Sequence, residues 1–479
     1  MSTPSIICCF FPLTDPIQQV CLSDFGPDRN VITSTPAPAC SESLTNDTKL
    51  HRVLRLPDLV LLIIGTVIGS GIFLVPGLVV RAVGNSLLVA LSVWLVGGIL
   101  SLLGALTYGE LSAMNPAAGG LYVYIRDCFG RFPAFLFGWT LFFVVSTGSI
   151  ATLAVAFSNY LAEFVSLAPW TARLVSVSMI GIIAAVNVLG TRKSANLQNL
   201  TTTIKVSAIL AIAGVLLWSG NRIHLHSALP PMSLSSRLSG IGLALVSVLW
   251  AYEGWQYATF AAGETVNPRR DFPLAFLAGI FTLIGVYFLA NLGYVAALGI
   301  DGAANSNRVA ATALATAVNP AVARLVSIVI LISIFSAAHS IALTAPRVYY
   351  AMARDGLFFH WLAEVHPRFD TPAFAIIATA FWASILAVTG TFEQLLTYVV
   401  FVGWSFYALA AASIFVYRKR ESAASARYRV PGYPWTPLIF IATVAAFVLN
   451  TIVAQPARAA LGIGVVLTGI PGYLIWRRK

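Results

Sequence analysis

Long apolar runs, each about as long as a bilayer-crossing helix, dominate this sequence of 479 residues. A hydrocarbon core of about 30 Å is crossed by a helix of about 20 mostly apolar residues. Only 10% of the residues are charged, whereas a typical water-soluble domain carries about 25%. Too few polar side chains are present to cover a water-exposed globule. The chain is therefore predicted to be an all-α integral membrane protein.

Twelve segments have the length and composition of transmembrane helices. They lie near residues 58–80, 87–112, 131–161, 171–190, 196–218, 238–262, 273–299, 317–351, 372–390, 392–417, 434–454 and 458–476. The third and eighth segments are long enough to tilt or to project beyond the bilayer.

Lys and Arg residues are unevenly divided between the two sets of loops. If both termini are cytoplasmic, 20 of them lie at the cytoplasmic side and seven at the other side. Because positively charged loops tend to stay in the cytoplasm, we expect a multi-pass protein of the plasma membrane with both termini inside. The net charge of +11 reflects this bias and is spread over short loops, so no nucleic-acid partner is expected.

Residues 1–50 differ from the rest of the chain. They are rich in Ser, Thr and Pro, lack helical periodicity and are predicted to form a disordered cytoplasmic tail. Four of the five cysteines lie there (Cys8, Cys9, Cys21, Cys40), and the fifth, Cys128, lies in a cytoplasmic loop. Disulfides are not expected on that side of the membrane, and no cluster of metal-ligand residues predicts a metal or a cofactor.

The first predicted span contains the sequence IGTVIGSGIFLVPG, residues 64–77. Glycine costs a helix interior roughly 1 kcal/mol relative to alanine, and two glycines flank Ser70 here. Small residues also allow close helix packing, but Gly69-Ser70-Gly71 favours an unwound turn. Non-helical backbone at membrane depth is tolerated where it lines a cavity. Its freed amides bind an anion and its freed carbonyls bind a cation, so the break suits the two charges of an amino acid.

A second interrupted helix is expected at the matching place of an inverted repeat. The sixth span provides one, LWAYEGWQYATFAAGETVNPRRDFP at 249–273, with Glu253-Gly254 in its middle. The predicted transporter domain, 51–479, thus consists of two five-helix repeats, about 57–219 and 238–417, and extra helices at 434–476.

Five sequence blocks in order resemble the amino acid–polyamine–organocation (APC) transporter superfamily, in particular its L-type amino acid transporter family. They are GTVIGSGIF (65–73), YGELSAMNPAAGGLYVYIRDCFG (108–130), NVLGTRKSANLQNLTTTIKVSAIL (187–210), AYEGWQYATFAAGETVNPRRDFP (251–273) and APRVYYAMARDGLF (345–358). The resemblance covers roughly residues 50–476. It implies the leucine-transporter fold, with twelve transmembrane helices in a 5+5 inverted repeat plus two, and transport by alternating access.

The resemblance also implies which residues bind substrate. The amides of Ser70 and Gly71 would bind the carboxylate, and the carbonyls of Val67, Trp250 and Glu253 would bind the amino group. The Trp250 ring is either an aromatic gate over the substrate or a packed tryptophan.

Three further intramembrane side chains carry open interpretations, because ionisable groups at this depth are expensive. Glu253 departs from the small or apolar residue common in the family; it is protonated, paired with a cationic substrate side chain, or the acceptor of a coupled proton. The resemblance implies that Lys205 lies where sodium-coupled relatives bind sodium, and it is either a proton-coupling group or a permanent tether between the fifth helix and the carbonyls of the first break. His339 either bonds a neighbouring carbonyl or belongs to a proton relay.

The sequence therefore predicts a sodium-independent amino acid transporter, proton-coupled or exchanging, for neutral L-amino acids. A cationic amino acid or polyamine transporter, or a non-transporting amino acid sensor on the same scaffold, remains as an alternative. An enzyme is disfavoured. Residues 162–172, the loop after the third span, contain no cysteine, so the covalent heavy-chain partner of some family members is not expected.

Overall fold

The structure is a computed structural model that describes residues 50–220, 234–390, 392–420, 428–454 and 456–477. The predicted tail, apart from Leu50, and the four cysteines within it lie outside these residues. The predicted two-repeat division stays a prediction.

Helices make up nearly all the regular structure of the described residues. The first half contains α1 (Leu56–Val67), α2 (Gly71–Ala82), α3 (Leu87–Met114), α4 (Leu121–Phe129), α5 (Arg131–Thr140), α6 (Ser146–Leu161), α7 (Pro169–Val188) and α8 (Thr191–Ser219). The second half contains α9 (Leu234–Ala251), α10 (Pro268–Ala304), α11 (Val309–Ala317), α12 (Pro320–Thr344), α13 (Pro346–Arg354), α14 (Ala373–Thr389), α15 (Phe392–Arg420), α16 (Trp435–Ala454) and α17 (Pro456–Arg477). A π-helical segment, Leu141–Val145, joins α5 to α6, and 3₁₀ helices occupy Trp255–Glu264 and His360–Ala363.

Nine helices in the described part of the chain are long and apolar enough to cross a membrane, or ten if the bent pair α1–α2 counts as one span. The predicted span at 372–390 corresponds to the shorter apolar helix α14, and the span at 392–417 corresponds to α15. The chain is thus a multi-pass, all-helical membrane protein, and twelve crossings remain a prediction.

Two of the predicted spans are interrupted near their middles. The axis bends by 51° between α1 and α2, and α9 gives way to the 3₁₀ helix through Tyr252, Glu253 and Gly254. Helix α1 packs against α8, α10, α12 and the 3₁₀ helix 255–264. The two interruptions therefore lie together in the interior of the bundle.

Ion pairs and backbone hydrogen bonds hold the chain in place where α1 begins. The Arg192 guanidinium lies 2.7 Å from the Asp58 carboxylate, and backbone bonds join Val53 and Leu54 to the Glu264 carbonyl at 2.8 and 2.9 Å. Nearby, Arg347 Nε donates to Glu264 Oε2 at 2.7 Å, with both side chains fully buried. Because a buried charge is costly unless paired and hydrogen-bonded, these contacts strongly restrict how this end of the bundle can be arranged.

Further contacts join α3 and α4 to α15. Arg418 of α15 forms two hydrogen bonds of 2.7 Å to the Glu110 carboxylate at the end of α3. In α4, Cys128 is half-buried and its thiol faces the Ser413 carbonyl at 3.6 Å.

Candidate substrate site

The first break redirects the backbone between α1 and α2. The amide of Gly69 donates to the Val67 carbonyl at 2.9 Å, although a regular helix would direct it to the carbonyl of Gly65, four residues back. The Gly65 carbonyl is thereby released from the helical pattern. The structure thus has the unwound turn that Gly69-Ser70-Gly71 predicts.

The freed carbonyls are taken up by side chains from two other helices. Lys205 Nζ donates to the carbonyls of Gly65 and Ile68, both at 2.7 Å. Ser333 Oγ approaches the carbonyls of Ile68 and Gly69 at 3.0 and 2.9 Å. A cation at the carboxyl end of α1 is also favoured by the helix dipole. Lys205, itself fully buried, therefore has the geometry of a tether between α8 and the first break.

Helix α8 packs closely against α1 at Gly65. A Cβ atom on Gly65 would lie 2.0 Å from Gln198 Nε2 and 2.4 Å from Thr202 Oγ1, so a side chain there would displace both of these groups. Gln198, Thr202 and Lys205 follow one another on one face of α8, at the spacing of successive helical turns. Because Gly65 has no side chain, Gln198 and Thr202 can lie against α1. Lys205, on the same face of α8, then reaches the break.

The second break is pressed against the first. Gly254 has a φ of 126°, a conformation that residues with a side chain rarely adopt. A Cβ atom there would also lie 2.9 Å from the Thr66 carbonyl. The glycine after Glu253 thus provides both the turn and the contact between the two interrupted helices.

One hydroxyl connects the two breaks. Tyr287 Oη, from α10, donates to the Ala251 carbonyl at 2.9 Å and lies 3.4 Å from the Val67 carbonyl. Tyr287 is fully buried, so its hydroxyl needs a partner. Sequence reasoning did not find this residue or Ser333; the available signal was a hydroxyl in the middle of an apolar span.

A cavity of about 100 Å³ opens between the breaks. Its walls include all five predicted substrate residues, Val67, Ser70, Gly71, Trp250 and Glu253. Helices α6 and α12 complete the walls with Ser149, Thr152, Leu153, Ala337 and Ile341. Since a single water needs about 10–15 Å³ by this measure, the cavity has room for a small organic molecule.

The cavity wall contains backbone amides and carbonyls from both breaks. Ser70 lies at the start of α2, where the first amides of a helix lack intrahelical partners and carry partial positive charge. The Val67 carbonyl accepts from Gly69, and the Trp250 carbonyl accepts from the Glu253 amide at 3.2 Å. Carbonyls have two lone pairs; the Trp250 carbonyl retains one for a ligand, whereas the second lone pair of Val67 also faces the Tyr287 hydroxyl at 3.4 Å. This set of amides and carbonyls can bind an anionic and a cationic group.

Glu253 brings a carboxylate into this wall. Its Oε1 accepts a hydrogen bond of 3.1 Å from the hydroxyl of Tyr407 in α15. No Lys or Arg is among the described residues that line the cavity. Any positive charge opposite Glu253 must therefore come from a proton or a ligand.

His339 lies outside the cavity walls. Its Nδ1 is 3.0 Å from Gln198 Oε1, and Gln198 Nε2 contacts Thr202 and Ser336 at 2.9 and 3.1 Å. In the described part of the chain no hydrogen bond joins His339 to Lys205 directly. The structure thus places His339 in a network behind the first break, with a side-chain carbonyl as its partner.

Two interrupted helices that enclose one cavity within a bundle of membrane-crossing helices define a class of protein, the membrane transporters that bind substrate at a helix break. The chain belongs to the amino acid permease family of the APC superfamily, since the family's sequence model matches residues 54–475. It is an amino acid transporter.

Similarity to individual family members extends over most of the chain. The serine/threonine exchanger SteT of Bacillus subtilis is 31% identical over 438 residues, covering 91% of this chain and 99% of the relative. The b(0,+)-type amino acid transporter 1 of Homo sapiens is 31% identical over 90% of this chain and 88% of its own length. The cystine/glutamate transporter of Homo sapiens is 30% identical, over 90% and 87%.

Proposed function

We propose that this protein moves neutral L-amino acids across the plasma membrane, without sodium, by alternating access. The observation that carries the proposal is the cavity between the two helix breaks, which is lined by the start of α2 and by the residues of the second break. A small zwitterion has two charges that these amides and carbonyls can bind.

Each predicted substrate residue has a role in this proposal. The amides of Ser70 and Gly71 bind the carboxylate, and the carbonyls of Val67, Trp250 and Glu253 bind the ammonium. The Trp250 ring covers the bound substrate. Lys205 binds the carbonyl oxygens that a sodium ion would otherwise need. His339 holds the Gln198 side chain in position next to the first break.

Exchange and proton coupling are both compatible with this site. The relative SteT is a serine/threonine exchanger, which supports exchange for this chain as well. Glu253, a carboxylate in the cavity wall, supports proton uptake. We further propose twelve crossings in a 5+5 inverted repeat plus two, both termini in the cytoplasm, and no heavy chain bonded through the loop at 162–172.

A second candidate, transport of cationic amino acids, is favoured by one observation. Glu253 lines a cavity whose described walls contain no basic residue, so a substrate lysine or arginine could supply the missing charge. Its main competitor is a proton on Glu253, which would leave the site suited to neutral substrates.

The decisive measurement is uptake by liposomes that contain the purified protein. We expect a labelled small neutral amino acid, serine or alanine, to enter faster than into empty liposomes and faster still when the lumen is preloaded with unlabelled substrate. A competition panel of the common amino acids then separates the two candidates, because lysine and arginine should compete poorly. Binding without entry would instead indicate a sensor.

A further inference from the structure

We propose that a groove at the end of the bundle where α1 begins binds the headgroup of an anionic phospholipid. Three adjoining cavities of about 490, 360 and 610 Å³ form this groove, and Val266 is in the wall of all three. None of their lining residues belongs to the substrate cavity. The groove is therefore a separate site, and its proposal does not depend on which amino acid is transported.

Five exposed arginines line the groove; one, Arg192, is paired with Asp58, and the other four lie on two segments of the chain. Arg52 and Arg55 precede α1, and Arg269 and Arg270 lie in the first turn of α10. None of the four forms a side-chain ion pair within the described ranges. Guanidinium groups suit phosphate oxygens because their N–H donors form paired hydrogen bonds. Unpaired arginines on two neighbouring segments are thus available to one phosphate group.

The acidic residues of the groove do not cancel this charge. Asp58 lines the third cavity, but its carboxylate is already bound by Arg192 at 2.7 Å and by the Asn199 amide at 2.6 Å. Asp271 is the remaining acid in the walls and is only 5% exposed. The groove as a whole therefore carries net positive charge.

An apolar stripe continues from the arginines and favours a lipid over a soluble phosphate. On α10, Arg270 is followed on the same exposed face by Leu274, Leu277 and Phe281, which are 42%, 38% and 56% exposed. From Arg270 to Phe281 the helix rises about 16 Å at about 1.5 Å per residue. This is about half of a 30 Å hydrocarbon core, the depth of one leaflet. A phosphate at Arg270 would place its acyl chains along this stripe.

Helix α8 provides a second apolar surface beside the groove. Leu200 and Ile204, 58% and 42% exposed, follow Asn199, which lines the third cavity. Helices α8 and α10 both pack against α1. The acyl chains of a lipid bound at the arginines would therefore contact the helices that hold α1.

The test compares lipid retention by the purified full-length protein in detergent, measured by native mass spectrometry. The probes are phosphatidylglycerol and phosphatidylcholine with identical acyl chains. We expect the wild type to retain phosphatidylglycerol preferentially and the triple variant R52Q/R269Q/R270Q to lose that preference by about tenfold or more, since each basic side chain contributes to anionic-lipid attraction. The variant R131Q/K193Q/R368Q removes three charges outside the groove and should retain wild-type preference.

Several outcomes would overturn the proposal. Equal retention of both lipids by the wild type would do so, as would unchanged preference in the groove variant or an equal loss in the control. Glycerol 3-phosphate is added as a soluble competitor; displacement at the same concentration as phosphatidylglycerol would assign the groove to soluble phosphate esters. The wild-type comparison also stands if the triple variant fails to fold: retention that does not weaken with added salt would contradict an electrostatic site.

Discussion

At the residue scale, Gly71 combines two requirements at the start of α2. Its amide is proposed to bind the substrate carboxylate, and its α-carbon faces the second interrupted helix. A Cβ atom there would lie 3.1 Å from Ala251 Cβ and 3.5 Å from the Trp250 ring. A larger side chain must therefore displace α9 or the proposed gate.

We expect Gly71→Val to abolish uptake while the protein still inserts into the membrane. The branched side chain would fill the space between Gly71 and Ala251, so the amides could no longer reach a carboxylate. Uptake and substrate binding by the purified variant are the measurements. Gly181→Val is the control, because nothing lies within 4 Å of a Cβ atom at that position in α7. Substrate binding at wild-type strength by the Gly71 variant would contradict the role given to this amide.

Glu253 leads to a prediction about pH. An ionised carboxylate without a cation is costly in a closed, dry cavity, so substrate enclosure should favour its protonation when the substrate is neutral. Acid should then stimulate neutral amino acid uptake in the wild type. In Glu253→Gln, which keeps the shape but cannot ionise, we expect this stimulation to disappear and a residual rate to persist at neutral pH.

The measurement is the initial rate against external pH in both proteins. Tyr407→Phe serves as a companion variant: it removes the hydrogen bond to Glu253 but keeps the carboxylate, so acid stimulation should remain. A profile in Glu253→Gln identical to the wild type would exclude Glu253 as the proton acceptor and turn attention to Lys205 and His339.

At the scale of elements, the sequence was most informative where glycine interrupts an apolar run. Both breaks occur where Gly69-Ser70-Gly71 and Glu253-Gly254 predict them. After the second break, however, the chain forms a 3₁₀ helix at Trp255–Glu264. The π-helical segment within the third span was not predicted either, because helix type within an apolar run depends on packing against neighbours.

The side chains from other helices that bond the carbonyls at the breaks could be predicted from the sequence only in part. Lys205 was identified because a lysine deep in a span is expensive, and a tether to the carbonyls of the break was one of its two interpretations. Ser333 and Tyr287 carry no such cost signal, since serine and tyrosine are common in membrane helices as packing residues. Their roles become visible only when the folded chain brings them to the freed carbonyls.

The buried pair Glu264–Arg347 supports a prediction about stability. Two hydrogen bonds of 2.7 and 3.0 Å join the side chains, and Thr191 donates to the same carboxylate at 2.7 Å. Removing one charge leaves the other buried and unpaired, so Arg347→Gln should lower the free energy of unfolding by about 3–5 kcal/mol. Thermal unfolding of the purified protein measures this loss.

An exposed ion pair provides the matched control. Arg308→Gln breaks the contact with Glu163 at 2.8 Å, in which the arginine side chain is 62% exposed. Its effect should be about 0–1 kcal/mol. The double variant E264Q/R347Q should recover part of the loss; a single variant as stable as the wild type would show that the pair contributes little.

At the scale of the whole molecule, the fold makes the ion requirement testable. Lys205 Nζ contacts two carbonyls at the end of α1, so a sodium ion would compete with a resident ammonium for the same oxygens. Replacing external sodium by choline should leave the initial rate of neutral amino acid uptake unchanged. Potassium replacement provides a check on choline itself, and a strong loss of rate in both media would refute sodium independence.

The half-buried thiol of Cys128 has a consequence for spectroscopy. The other four cysteines precede residue 50, so the whole transmembrane bundle contains a single native thiol. A serine at position 128 would keep a donor for the Ser413 carbonyl that the thiol now faces. With all five cysteines replaced by serine, one cysteine can be introduced in α2 and one in α6 to carry a pair of spin labels. The distance between the labels would report how the cavity changes during one transport cycle.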